Sequence, residues 1–343
     1  MLQELRLFPY LHRILNMKMG GILISILMSF LITGAPEAEE AVEQGELLFP
    51  RYAPSAVTDG EWIYVYGGAP HGGRNGADFM RQGLHASIER IDPVTLKSEY
   101  FNNALHRRAN HASVYFNQQM VSCGGRSQVG LKRPKMSACE FLDLNEGIFR
   151  ELPELPIVAR SLGMTEVSGE LYVLGGLTAD GTFSKRFFRL PEGGIAWEPL
   201  PDAPIEREGP ILAIGNKIFA LGGYNGQTLR SVMVFDIKRK AWEQKAELPV
   251  GFSAYSAIAD GSFIYLFGDY KRMDTICRYE TESGDLYLLD QKMTPRRHTA
   301  AVRVANKAVV IGGNQTSSGA ALKVIESFEL SDLRTGGKKL KAE

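Results

Sequence analysis

The side chains best suited to chemistry in this chain are basic. They recur in short polar segments that each precede an apolar stretch: Arg51, Arg107-Arg108, Arg160, Glu206-Arg207-Glu208, Tyr255 and Arg296-Arg297-His298. Five of these six segments carry arginine. A guanidinium is planar, permanently charged and fitted to a carboxylate through two parallel N–H donors, so a cluster of them suits carboxylates or acidic sugars. Several such groups around one axis repel unless an anion or carboxylates compensate, and Glu206 and Glu208 are candidates for part of that role.

Two other polar stretches are long. Residues 69–86 hold His71, Arg74, Asp78, Arg81 and His85, and residues 126–137 hold Arg126, Lys132, Arg133 and Lys135. Long loops on a compact scaffold usually carry function. The six histidines are not spaced as a metal-ligand set; His106 and His111 flank the twin arginines, where satisfied hydrogen bonding is the expected role. No CxxC, phosphate loop or Ser-His-Asp signature occurs, and neither metal nor any other cofactor is expected. Three cysteines cannot make a disulfide framework for 343 residues. Buried apolar packing is their default role, with a Cys123–Cys139 bridge as the alternative in an oxidising compartment. Asn314-Gln-Thr316 fits a glycosylation acceptor.

The elements that position these residues repeat. An apolar run ending in a glycine pair occurs as YVYGG at Gly68, VSCGG at Gly125, YVLGG at Gly176, IFALGG at Gly223 and AVVIGG at Gly313. A sixth copy, IYLFGD, ends at Asp269 in place of the second glycine, and the successive spacings are 57, 51, 47, 46 and 44 residues. Before each pair lies a short strand with a tight turn, such as Asp59-Gly60, Asn117-Gln118 or Ser168-Gly169. After it comes an alternating strand such as 231–236, and then an aromatic residue near a Leu-Pro pair, as at Phe149, Trp197 and Trp242. This grammar predicts four short strands per unit and no helical period after residue 45.

Glycine pair, hairpin turn and closing aromatic, recurring in that order over about residues 45–330, resemble the kelch repeat, whose units form blades of a β-propeller. The resemblance implies an all-β, six-bladed ring of four-stranded antiparallel blades, with each first strand lining the axis. The last unit stops at Leu330 without a fourth strand, and the segment 45–50 reads as the missing one, so an N-terminal strand is expected to close the ring and hide its edges. The tail 331–343, read as basic and lacking apolar residues, is expected to be disordered.

In such a meander the loop entering strand one and the loop joining strands two and three lie at the same end. That end therefore gathers the expected ligand-binding residues: Arg51, Arg108, Arg160, Arg207, Tyr255, Arg297, Arg126 and Tyr224. A structural use of each arginine, pairing with backbone carbonyls of the next blade, stands beside that reading. The family includes propellers that only bind protein or glycan, and enzymes such as galactose oxidases and sialic acid mutarotases. A mutarotase needs one group to take a hydroxyl proton and another to give one to the ring oxygen. In mutarotases of this family a glutamate follows a blade's glycine, with an arginine six residues later. Here Arg230 matches the arginine while Tyr224 occupies the acid's place, so the candidate catalytic groups are Glu206, Glu208 and Arg230.

Met19 to Ala35 is almost uncharged, follows Arg6, Arg13 and Lys18, and precedes an acidic stretch. This is the order of a secretory signal, so residues 1–38 are expected to be a signal peptide or, if uncleaved, an N-terminal anchor. The rest of the chain is then exported, to a periplasm or outside the cell. With 39 basic and 39 acidic residues, nothing points to nucleic acid. The 36 glycines, about 10% against roughly 7% on average, fit a molecule of many tight turns. The expected protein is an exported monomer that binds a polar or anionic carbohydrate, or a protein, at its arginine-lined mouth; the alternative is a sugar mutarotase.

Overall fold

The structure is a computed structural model and describes residues 42–70, 83–127, 135–316 and 319–341. The N-terminal segment therefore lies outside the described residues, as do His71, Arg74, Asp78, Arg81, Lys132 and Arg133.

Six antiparallel blade sheets arise in chain order, five of four strands and one, the fifth, of five. The first blade is built from Ser55–Thr58, Ile63–Tyr66, Ser87–Ile91 and Ser98–Asn103. The sixth pairs Ala300–Val304, Lys307–Ile311 and Val324–Glu329, and its outer strand is Glu43–Glu46, with Gln44 opposite Glu326. The chain's beginning thus completes its last blade. Second strands such as Ile63–Tyr66 are buried on both faces because a blade packs on each side, so their apolar residues run without interruption. Six apolar clusters fill the spaces between successive blades, and the cluster of Ile63, Val65, Ile311 and Ile325 joins the sixth blade to the first.

The glycine pair is the joint between blades. Gly67 has φ +67°, and a β-carbon on it would stand 2.5 Å from the carbonyl oxygen of Arg108 in the next blade. The following N–H, of Gly68, donates to that same carbonyl at 2.7 Å. Gly125, Gly176, Gly223 and Gly313 repeat this donation to Ala159, Arg207, Phe252 and Arg51 in turn. Blade five has Asp269 instead, and its N–H turns inward to the carbonyl of Arg272, while its carboxylate caps the N–H groups of Lys271 and Arg272. A side chain would meet backbone at either glycine, as at Gly176 where a β-carbon would stand 2.8 Å from the Arg160 carbonyl oxygen, and blade five escapes this at the second position because the chain turns inward at Asp269.

The C-terminal tail corrects the expectation of disorder. Leu330–Leu333 forms one helical turn whose Leu330 and Leu333 are buried against blades five and six. Lys338–Lys339 then adds a fifth strand to blade five, pairing with Leu288 and Tyr287. Arg278 donates to the carbonyls of Leu333 and Gly336, and Arg334 pairs with Asp260 at 2.8 Å. Two leucines three residues apart were apolar content enough to anchor a basic segment.

Candidate functional site at the axial mouth

The first strands surround an axial cavity of about 700 Å³. Its wall mixes apolar side chains such as Val57, Val114, Met164 and Ile258 with polar ones such as Ser113, Thr165, Glu166 and Arg303. Each of those loops bridges to the loop that follows its own blade's glycines, as in Arg160 with Leu177, Glu208 with Tyr224 and Arg297 with Asn314. Both loop sets lie at one end, as the connectivity requires.

A ring of left-handed residues shapes the mouth. Ala53, Asn110, Ser161, Gly209, Ala254 and His298, one per blade, all have φ between 49° and 134°. Asn110 N–H donates to the Ala53 carbonyl, Ser161 to Asn110, Gly209 to Ser161, His298 to Ala254 and Ala53 to His298, at 2.7–3.0 Å. The strained backbone that five non-glycine residues accept here is held by these bonds from blade to blade.

The position two residues before that ring is buried. It holds Arg51, Arg108, Arg207 and Arg296, all at most 1% exposed. Arg51 pairs with Glu89 at 2.8 Å, Arg108 with Glu140 at 3.0 Å and Arg296 with Glu326 at 2.6 Å, while Arg108 also donates to the carbonyls of Gly124 and Ala138. Burial pulls Arg296 down to about 10 and lowers Arg51 and Arg207 as well. The expectation that Arg51, Arg108 and Arg207 line the mouth is therefore corrected: these guanidinium groups point into the blades and hold them.

The mouth belongs to the next register, which sequence spacing did not separate from the first. Arg160 occupies it in blade three, and its Nη1 lies 3.3 Å from the Glu208 carboxylate of blade four. Burial pushes the Glu208 carboxyl up, against the charges of Arg160, Arg126 and Lys135 and a hydrogen bond from Ser161. Burial lowers Lys135, with the charges of Arg160 and Arg126 adding to it; its Nζ donates to the Thr178 carbonyl. Arg126 donates to the Asn110 side chain at 2.7 Å. Three cations thus gather around one half-buried carboxylate. Tyr224 completes this side, half-exposed and edge-on to Phe183 at 5.7 Å.

The other expected residues fall elsewhere. Tyr255 lines the cavity, but its hydroxyl is spent on the Leu221 carbonyl. Arg297 is buried, lies 3.8 Å over the Tyr270 ring and donates to the Tyr270 carbonyl. Arg230 is outside the cavity wall, donating to the Leu248 carbonyl at 2.7 Å and facing Glu247 at 3.7 Å, so it is not brought to Glu208. Glu206 is exposed and accepts from Asn225 at 3.4 Å, also outside the wall. Lys135 and His298, named in their polar segments but left out of the expected ligand-binding set, also stand here, one across its loop from Arg126 and one in the left-handed ring.

Three histidines stand on the loops and first strands at this end, His111 buried and His85 and His298 half-buried. Burial, with the charges of Arg297, Arg160 and Arg126, holds His298 down to about 4. His85, which contacts the Pro50 carbonyl, is also held to about 4 by burial, and His111 is well below its usual value. His111 Nε2 sits 2.6 Å from Ser55 Oγ, in a chain of hydroxyls running through Ser113 to Ser122. Cys123 and Cys139, direct cross-strand partners in blade two, form a disulfide, and Cys277 is free and buried. Asn314 is buried and donates to the Thr316 carbonyl, which removes it as a glycan acceptor. Among the described residues no group of three or more His, Cys, Asp and Glu side chains is placed to hold a metal, and no helix is long and apolar enough to cross a membrane.

Residues 210–249, the core of blade four, match the Kelch motif. Kelch-like protein 41b of Danio rerio is 27% identical over 175 residues, covering 47% of this chain and 29% of that protein. Kelch-like protein 38 of Homo sapiens is 24% identical over 229 residues, covering 66% of this chain and 38% of its own length. The chain thus spans well under half the length of these curated relatives. The solved structure of YjhT superposes with a TM-score of 0.68 at 13% identity, covering 82% of this chain and 95% of that one, a likeness of fold. With its glycine joint repeated around a closed ring, the chain is a six-bladed β-propeller whose fourth blade matches the Kelch motif.

Proposed function

We propose that this propeller is an exported binding protein whose axial mouth takes a polar or anionic carbohydrate. The observation that carries the reading is the Arg160–Glu208 pair lining a cavity of about 700 Å³, with the charges of Arg126 and Lys135 acting on the same carboxylate. That volume suits a mono- or disaccharide, and basic groups at its mouth favour an acid group on it. The Cys123–Cys139 bridge supports export, because such bonds persist in oxidising compartments. The exposed Leu48, Phe49, Leu105 and Val158 on the inbound loops support a protein ligand on the same face. Calorimetric titration of residues 42–343 with glucuronate and with glucose tests the reading: binding of the acid but not the neutral sugar is expected, and equal or absent binding of both would refute it.

One observation favours a second reading, a sugar mutarotase. Ring opening moves a proton from the anomeric hydroxyl to the ring oxygen, and a carboxyl whose pKa burial raises can take a proton and return it. Glu208, with Arg160 rather than Arg230 beside it, is the group so placed. Proton NMR of freshly dissolved α-anomeric sialic acid would show faster anomerisation with the protein, lost in Glu208→Gln. Turnover surviving that change would exclude the role.

A further inference from the structure

One pair of interior positions repeats in every blade, and in blade four the pair does not match. On the inbound loops the buried register reads Arg51, Arg108, Ala159, Arg207, Phe252 and Arg296. Facing it on the third strands, at the residue paired with the second position before each glycine, stand Glu89, Glu140, Phe188, Met233, Cys277 and Glu326. Blades one, two and six set arginine against glutamate, and blades three and five set apolar against apolar. Blade four sets Arg207 against Met233.

The consequence is a buried cation without a carboxylate. Arg207 is 1% exposed; its Nη2 donates to the carbonyls of Pro210 and Leu221, the Tyr255 hydroxyl is its one side-chain partner, and no carboxylate reaches it. The ionisable side chain acting on it is the Tyr255 phenol, itself kept neutral by burial. A buried charge left unmatched is among the costliest features a fold carries, so its retention calls for a counter-charge from outside the chain. The guanidinium stands against the cavity wall: a β-carbon on Gly209 would meet Nη2 at 2.8 Å and one on Gly223 would meet Nε at 2.9 Å, and both glycines line the cavity.

We propose that Arg207 is a specificity-determining residue for anions, its missing counter-charge supplied by the carboxylate of a ligand seated against Gly209 and Gly223. This rests on the carbohydrate-binding reading above and adds where the acid group lies: over blade four, between the Arg160–Glu208 pair and Tyr224. Across two α-carbons in a poorly solvated wall, one uncompensated charge is worth about tenfold or more in affinity for an anion.

The fold itself supplies two ways of removing the charge. Met233→Glu installs the pairing of blades one, two and six, and Arg207→Met installs the apolar pairing of blades three and five. Calorimetric titration of residues 42–343 with glucuronate is expected to give about tenfold weaker binding for each variant, with melting temperatures equal to or above the parent's. Weaker binding alone would follow from simple damage; weaker binding with undiminished stability would not. If the parent and Arg160→Ala differ in glucuronate affinity while both charge-removing variants bind as the parent does, the Arg207 assignment falls and the mouth remains. If the parent binds no glucuronate, the mouth reading falls and Arg207 falls with it. Should Met233→Glu fail to fold, Arg207→Met decides alone, and parent-like affinity in it overturns the proposal.

Discussion

Arginines in adjacent registers of equivalent inbound loops do opposite work here, and substitution separates them. Arg108→Ala takes the permanent cation from the buried Glu140, leaving it the Tyr66 hydroxyl and His106, so a loss of about 3 kcal/mol is expected in a denaturant melt. Arg160→Ala removes a half-exposed partner from a mouth that keeps Arg126 and Lys135, and unfolding should move by under about 1 kcal/mol. Sequence reading placed both in one ring because spacing to the glycine pair resolves a loop and not a register. Glu89, Glu140 and Glu326, present only where the buried register holds arginine, were the legible sign that part of that ring is internal.

Histidines belong to the same scale. His85 and His298 are held to about 4 by burial, whereas in the unfolded chain they titrate near 6.5. Between those values the unfolded state binds more protons, so folding stability is full above about pH 6.5 and declines as pH falls toward 4. Each histidine contributes a slope of up to about 1.4 kcal/mol per pH unit in that window. Urea melts from pH 7.5 to 4.5 should show the decline, and His298→Asn should flatten it; a slope unchanged by the substitution would remove His298 from the account.

At the scale of the element, the blade is the unit the sequence spelled most plainly. The glycine joint is legible because its cause is steric and local: the carbonyl of the next blade lies within 3 Å of where a side chain would begin. The exception at Asp269 was legible too, though its consequence, an inward turn of that N–H, needed the structure. The tail was misread because its two buried leucines, Leu330 and Leu333, straddle the boundary drawn after the last strand. In blade two the bridge of Cys123 to Cys139, 16 residues apart, closes a loop whose cross-link contributes about 3 kcal/mol by chain entropy. Reduction, or the Cys123→Ala, Cys139→Ala pair, should lower the melting temperature while leaving the far-ultraviolet spectrum that of a folded sheet protein.

For the whole molecule the controlling fact is closure. Glu43–Glu46 covers the edge of Val324–Glu329, and the cluster of Leu47, Ile63, Val302 and Ile311 joins last blade to first. A chain beginning at residue 48 would lose that strand and Leu47, baring an unpaired edge. Size-exclusion chromatography should show it aggregated or expanded where residues 42–343 elute as one compact species. Closure also fixes the axis, and with it the cavity toward which Arg126, Lys135, Arg160 and Glu208 converge from three blades. That convergence was only partly legible, since it depends on where a left-handed ring of backbone points each loop.

The central claim is that the basic mouth around Arg160, not the buried arginines already paired with glutamate, receives an acidic ligand. Its most direct test is the glucuronate affinity of Arg160→Ala against the parent protein at matched ionic strength. The account predicts at least about tenfold weaker binding in a variant whose melting temperature is unchanged. Undiminished affinity in a folded Arg160→Ala protein would contradict it.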